Sequence, residues 1–183
     1  VGAIFIRKGT PCRPLIVGGH QESGRRAGTE NVAFITGLAR ALELSLERRD
    51  EDHARMEALR DRLEAALVEQ IPAVQVNGRG APRLPNTLNL ACHYIEGEGM
   101  LYQLGGHGIC ASHVMQAMKV PFSAAHGSVR FSLSRYSTDA EVDRIIEVFP
   151  EIVASLRRLS PYWDQERNCP REDAAQQLQA PPA

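Results

Sequence analysis

Residues 128–149 read SVRFSLSRYSTDAEVDRIIEVF, a strand, a turn and the start of a helix in one stretch. Val129, Phe131 and Leu133 alternate with Arg130, Ser132 and Ser134, the period of two that sends one set to each face of a strand. Thr138-Asp139-Ala140-Glu141 is a capping box, in which the hydroxyl and the carboxylate satisfy backbone N–H groups at a helix start. Val142, Ile145, Ile146, Phe149, Ile152, Val153, Leu156 and Leu159 then recur at helical spacing. Pro150 lies inside that pattern and is expected to kink or divide the helix. This order of elements predicts a small α+β unit.

Upstream, Thr87–Cys92 alternates like a second strand and AVQVN, residues 73–77, like a third. Glu98–Leu104 and His113–Met118 read as short helices. Met56, Leu59, Leu63, Ala66 and Leu67 mark an amphipathic helix stopped by Pro72, and Val32, Ile35, Leu38, Ala39 and Leu42 mark another before it. The charge run ERRDED between them reads as a solvated helix face or a join between two helices. Ala3–Ile6 is a continuous apolar run expected to form a strand buried on both faces, and Leu15–Val17 a second extended piece. The predicted organisation is an opening of strands and loops over 1–30, a helical connection over 31–70 and an α+β domain over 71–160. A disordered tail is expected over 161–183, where large apolar residues thin out.

A net charge of −1 over 183 residues offers no basic field for nucleic acid. No apolar run approaches the roughly 20 residues that span a bilayer. Cys12, Cys92, Cys110 and Cys169 form no C-x-x-C pair, which predicts a reducing, cytoplasmic setting rather than a disulfide framework.

Four places carry chemistry. In GGHQESGRRAGTE, residues 18–30, glycines allow close approach to a ligand, Arg25 and Arg26 add charge, and Thr29 is placed to cap the next helix. Either an anion site or a plain glycine turn fits that loop. Arg130, on the polar face of its strand, suits a bidentate carboxylate clamp, although a surface arginine is the commoner outcome of such alternation. Asn86 is either a turn amide or a ligand contact. His107-x-x-Cys110-x-x-His113 has residue types that zinc accepts, but only three of them, and a lone cysteine such as Cys110 is more often a small buried hydrophobe than a nucleophile. His20, His53 and His126 carry weaker signals, as a loop, an exposed and a turn histidine.

Three longer stretches together resemble one family. Residues 1–9, VGAIFIRKG, with 14–32, PLIVGGHQESGRRAGTENV, resemble the segment that follows the cofactor lysine of cysteine desulfurases, with its G-G-x-Q-E-x-G-x-R-x-G-T-x-N signature. LPNTLN at 84–89 and GEGMLYQL at 97–104 resemble the start of their small domain. Residues 113–163 resemble their C-terminal region, and the ending LSPYW is similar to that of the nitrogen-fixation (NifS-like) branch of the class V aminotransferases.

The resemblance implies an α/β fold, the C-terminal part of a pyridoxal 5'-phosphate fold type I enzyme, with the end of its large domain and its small α+β domain. It implies a homodimer that takes sulfur from L-cysteine, leaves L-alanine, and passes a persulfide to an iron–sulfur scaffold protein. On that resemblance Arg130 holds the substrate carboxylate, with Asn86 counted beside it as a substrate-binding residue. Thr29 reaches the cofactor phosphate of the neighbouring subunit. Two departures stand out. The family's cofactor lysine would lie just upstream of Val1, and Ala111-Ser112 runs directly into His113-Val114 where the family inserts its catalytic-cysteine loop. Cys110 matches the ordinary residue before that loop, so no catalytic residue is assigned and this chain alone is expected to release no sulfide. Two other readings are a non-catalytic dimerisation or partner-binding remnant, and a selenocysteine lyase-like enzyme.

Overall fold

The computed structural model describes residues 1–111, 127–172 and 174. The chain divides into two compact units, Val1–Arg49 and Asp50 onward, so the boundary falls within the 31–70 helical stretch.

In the first unit residues 1–20 are irregular, α1 (Gln21–Gly24) is one tight turn, and α2 (Val32–Glu47) is the long element. The strand expected at Ala3–Ile6 does not form, nor does the extended piece at Leu15–Val17; Ile4 and Phe5 are 81% and 89% exposed. A strand is a pairing, and among the described residues none offers its edge to these segments. Thr29 does not cap α2. Asn31 does, its Oδ1 accepting from the Phe34 N–H at 3.3 Å. The predicted stripe of α2 exists as a pattern, yet Val32, Ile35, Leu38 and Leu42 are all exposed. The charge run is a join: α2 ends at Glu47 and α3 (Arg49–Gln70) begins after Arg48, with Asp50, Glu51 and Asp52 against the positive end of its dipole.

The second unit builds its core on a three-stranded antiparallel sheet of β1 (Val74–Val76), β2 (Thr87–Cys92) and β3 (Ser128–Ser132), in the order β1-β2-β3. Leu88, Leu90, Cys92, Val129 and Phe131 project from one face into a cluster with Leu59, Leu63 and Leu67 of α3 and Met100 and Leu104 of α4 (Gly97–Gly106). The helix α5 (Asp139–Leu159) adds Val142, Phe149 and Val153, and Phe149 meets Phe131 edge-on with ring centroids 5.3 Å apart. The capping box forms as read: Thr138 Oγ1 accepts from the Glu141 N–H, and Glu141 Oε2 accepts from the Thr138 N–H at 2.7 Å. Pro150 does not divide α5, which runs through it. One missing hydrogen bond is outweighed by the apolar side that α5 buries on both sides of it. The helix expected at His113–Met118 lies outside the described residues.

Two polar clamps fasten the periphery. The buried Arg60 donates to Leu84 O at 2.9 Å and to Glu57 and Asp61, and Arg83 meets the nearly buried Glu64 at 2.8 Å, so the loop from Asn77 to Asn86 is tied to α3. The second clamp corrects the tail expectation. Residues 161–172 are ordered, with β4 (Trp163–Asp164) pairing β5 (Cys169–Pro170) in a short hairpin. Trp163 is buried, and its ring lies 3.9 Å from the buried guanidinium carbon of Arg157. Arg157 Nη2 also donates to Ala73 O at 3.2 Å and His93 O at 3.4 Å, while Arg157 Nε has no partner among the described residues. One buried indole over a cation orders what composition alone read as loose chain.

Candidate functional site

The alternation that fills the core with Val129 and Phe131 puts Ser128, Arg130 and Ser132 on the opposite face of β3. Across the ladder the partners on this face are Thr87, Asn89 and Ala91, with Asn89 directly opposite Arg130. Asn77, just beyond β1, donates from Nδ2 to Asn89 Oδ1 at 2.6 Å and from its backbone N–H to Asn89 O at 2.9 Å. A polar row therefore runs from Asn77, at the end of β1, across β2 to β3.

Arg130 is the unsatisfied member of that row. Its Nε is buried, and among the described residues its guanidinium has no hydrogen-bond partner and no carboxylate. Arg60 shows the contrast, since its guanidinium is surrounded by acceptors of the chain itself. A buried polar atom without a partner is costly, and a cation more so. The arrangement suits a planar anion from outside the chain, and a carboxylate matches the guanidinium fork.

Asn86 has its amide engaged. Its Nδ2 donates to Leu133 O at 3.1 Å, its Oδ1 accepts from the Thr87 hydroxyl at 3.2 Å, and its backbone carbonyl accepts from the Leu133 N–H at 2.8 Å. It closes one end of the β2–β3 ladder, three residues from Arg130.

Thr29 lies in the first unit. Its loop is organised around Gln21, whose Oε1 accepts from the Gly28 N–H at 3.2 Å, and Ala27 N–H donates to Ile16 O at 3.2 Å. Glu22 and Ser23 both sit in the left-handed region, at φ of 51° and 57°, which for residues with a Cβ costs roughly 1 kcal/mol or more each. With Asn31 serving as the cap, the exposed Thr29 hydroxyl has no partner among the described residues. Pyridoxal phosphate, the group implied by the resemblance, can be set against these donors. The free hydroxyl, close in sequence to Arg25 and Arg26, suits its phosphate. No described residue is arranged to hold its ring, and Lys8 lies in an exposed irregular segment. The chain fits one end of the group.

Cys110 is exposed just beyond α4. His107 ends that helix, its Nδ1 3.4 Å from Arg144 Nη2, while His113 and His126 lie outside the described residues. Among the described residues no three His, Cys, Asp or Glu side chains are grouped for a metal ion. His20 precedes the α1 turn and His53 is exposed on α3.

The sequence pattern alone assigns no site role to four residues, Asn77, Asn89, Cys92 and His93. Asn89 and Asn77 gave a usable signal: Asn89 is a polar residue at the centre of an alternating strand, where an amide has a reason to face its neighbours. Cys92 and His93 gave less. Burial pushes the Cys92 thiol up to about 12, opposed in part by Arg157, and all four cysteines are free. Iodoacetamide is therefore expected to label the exposed Cys12 and Cys110 in the folded chain, and Cys92 only once the fold opens. Mass spectrometry with and without denaturant checks this.

His93 is half-buried, and burial first, then the charge of Arg157, holds its imidazole below the ordinary range. The unfolded chain thus takes up a proton that the folded chain refuses. Stability is full above the ordinary imidazole pKa of about 6.5 and falls as pH drops below it toward the lower folded value. His93→Gln is expected to flatten that slope in urea titrations run across this window.

Residues 1–145 match the aminotransferase class-V family. A cysteine desulfurase of Gluconacetobacter diazotrophicus is 51% identical over 177 residues, covering 90% of this chain and 44% of that protein. The cysteine desulfurase NifS of Azotobacter vinelandii is 50% identical over 186 residues, covering 94% of this chain and 46% of its own length. The chain spans about half the length of the curated relatives it matches. Among solved structures, one titled as a NifS-like protein superposes with a TM-score of 0.75 at 39% identity, covering 83% of this chain and 42% of that one. A NifS-like protein from Rickettsia africae gives 0.72 at 33% identity, covering 76% and 39%.

Proposed function

Because the chain belongs to the aminotransferase class-V family and shares the α/β, fold type I architecture of its NifS-like neighbours, we propose that it forms part of a pyridoxal-phosphate-dependent cysteine desulfurase. The observation that carries the reading is Arg130, a half-buried guanidinium on the sheet face opposite the core cluster, with a buried Nε and no acceptor of its own among the described residues. Its role is to hold the α-carboxylate of L-cysteine. Asn86 fixes the strand ends that carry it. Thr29 donates to the cofactor phosphate across a homodimer interface. When bound, the cofactor supplies an electron sink for bonds at the substrate's α-carbon.

A second contact is suggested by α2. Its exposed stripe of Val32, Ile35 and Leu42 is the surface that a homodimer would cover, which sedimentation of the chain tests. The sulfur acceptor is read as an iron–sulfur scaffold protein in a reducing cytoplasm. Among the described residues no helix is long and apolar enough to cross a membrane.

The test is release of L-alanine and sulfide from L-cysteine by the protein that carries this chain, with L-selenocysteine run alongside. Arg130→Ala is expected to raise KM about 100-fold, the loss of charge-assisted hydrogen bonds worth together about 2.7 kcal/mol. An unchanged KM removes Arg130 from the site. Activity on L-selenocysteine alone replaces the desulfurase with a selenocysteine lyase.

A further inference from the structure

We propose that Asn89, held in place by Asn77, is a second donor to the carboxylate at Arg130; this rests on the reading of Arg130 given above. The bonds Leu133 N–H to Asn86 O and Cys92 N–H to Gly127 O fall at pairs 86:133 and 92:127. Hydrogen-bonded pairs therefore take every second position between them, and Asn89:Arg130 is a non-hydrogen-bonded pair. Opposed residues are closest at such pairs, with Cα atoms about 4.5 Å apart and side chains in reach of each other.

Asn77 settles which way the Asn89 amide faces. The Asn89 side-chain oxygen accepts from Asn77 Nδ2 at 2.6 Å, on the β1 side. β1 and β3 flank β2 on opposite sides. An amide whose oxygen is engaged toward β1 turns its Nδ2 hydrogens toward the strand that carries Arg130. Two donor groups then stand side by side, one of them charged, with no acceptor between them among the described residues. A carboxylate has about four lone-pair sites on two oxygens, enough to receive the guanidinium and one amide N–H together. Asn77 is itself buried. Its bond to Asn89 both satisfies a buried amide and fixes the neighbour, so Asn77 acts as a positioning residue.

The test uses the full chain labelled with 15N and titrated with L-alanine, a small α-amino carboxylate. The Arg130 Nε–H and Asn89 Nδ2 signals are expected to shift along one saturation curve. Asn89→Ala should weaken L-alanine about tenfold, the size of one hydrogen bond to a charged group. Asn89→Asp should weaken it further, because it sets a carboxylate against the ligand's own. Asn77→Ala should loosen binding and free the Asn89 signal, while thermal melts report separately on folding. If Asn89→Ala binds as tightly as the parent while Arg130→Ala does not bind, the inference falls and the role of Arg130 stands. If Asn89→Asp tightens binding, Asn89 serves Arg130 as an acceptor and the inference also falls. If Arg130→Ala binds normally, the reading of Arg130 itself is overturned.

Discussion

Gly127→Ala is expected to destabilise the second unit by about 3 kcal/mol or more, lowering its melting temperature by about 10 °C. A Cβ at this position would stand inside the carbonyl oxygen of Cys92, 3.0 Å from its carbon and 3.3 Å from Ile95 Cγ1. Neither backbone atom can rotate away. Gly127 O also receives the Cys92 N–H at 2.8 Å, the bond that opens the β2–β3 ladder. Moving that pair apart displaces β3 and Arg130 with it, so loss of L-alanine binding should accompany the loss of stability. Gly105→Ala in α4 is the control. A Cβ there meets nothing within 4 Å, and alanine favours a helix over glycine by up to about 1 kcal/mol. Stabilisation by the one and destabilisation by the other, in paired melts, is the expected result. Equal melting temperatures would mean that the close approach at Gly127 does not exist.

Phe149→Ala should cost about 4 kcal/mol, within the range for removing a buried phenyl ring. The ring is fully buried and meets Phe131 edge-on, which fastens α5 to the strand that carries Arg130. Its loss leaves a cavity within the cluster, since the ring is 0% exposed there. Denaturant titration should show a lower midpoint with an unchanged slope. Phe149→Leu, which keeps most of the volume, should lose less than half as much. A midpoint that scarcely moves would show the unit's stability to lie outside this cluster.

The second unit was largely legible because its signals are local. Alternation at 87–92 and 128–133, the Thr138 box and the periodicity after it each need only a few neighbouring residues, and the helices and strands stand where those residues put them. The first unit was not legible in the same way. Ala3–Ile6 has the composition of a buried strand, but composition cannot supply a partner, and the segment is exposed. Thr29 and Asn31 are both good caps, and the choice between them depends on where the glycine loop ends. The loop is held by Gln21, whose side chain reaches Gly28, and no propensity announces such a contact. Around the candidate site, Arg130 could be suspected from its face of the strand. Its isolation became visible only in three dimensions, because the acceptors it lacks are defined by folding. Cys110 needed no structure to be set aside, since the resemblance had already assigned it an ordinary place.

Arg157 has a consequence for the end of the chain. Its guanidinium sits in the interior on two carbonyl oxygens, with no carboxylate beside it among the described residues and an indole from the β4–β5 hairpin laid over its face. The hairpin is thus a stopper and not a trailing end. Cleavage after Arg158 would detach Trp163 and let water in to a charge that the rest of the fold has arranged itself around. A protease that finds that bond would therefore not trim the protein but uncork it, and its first cut would make every later one easier.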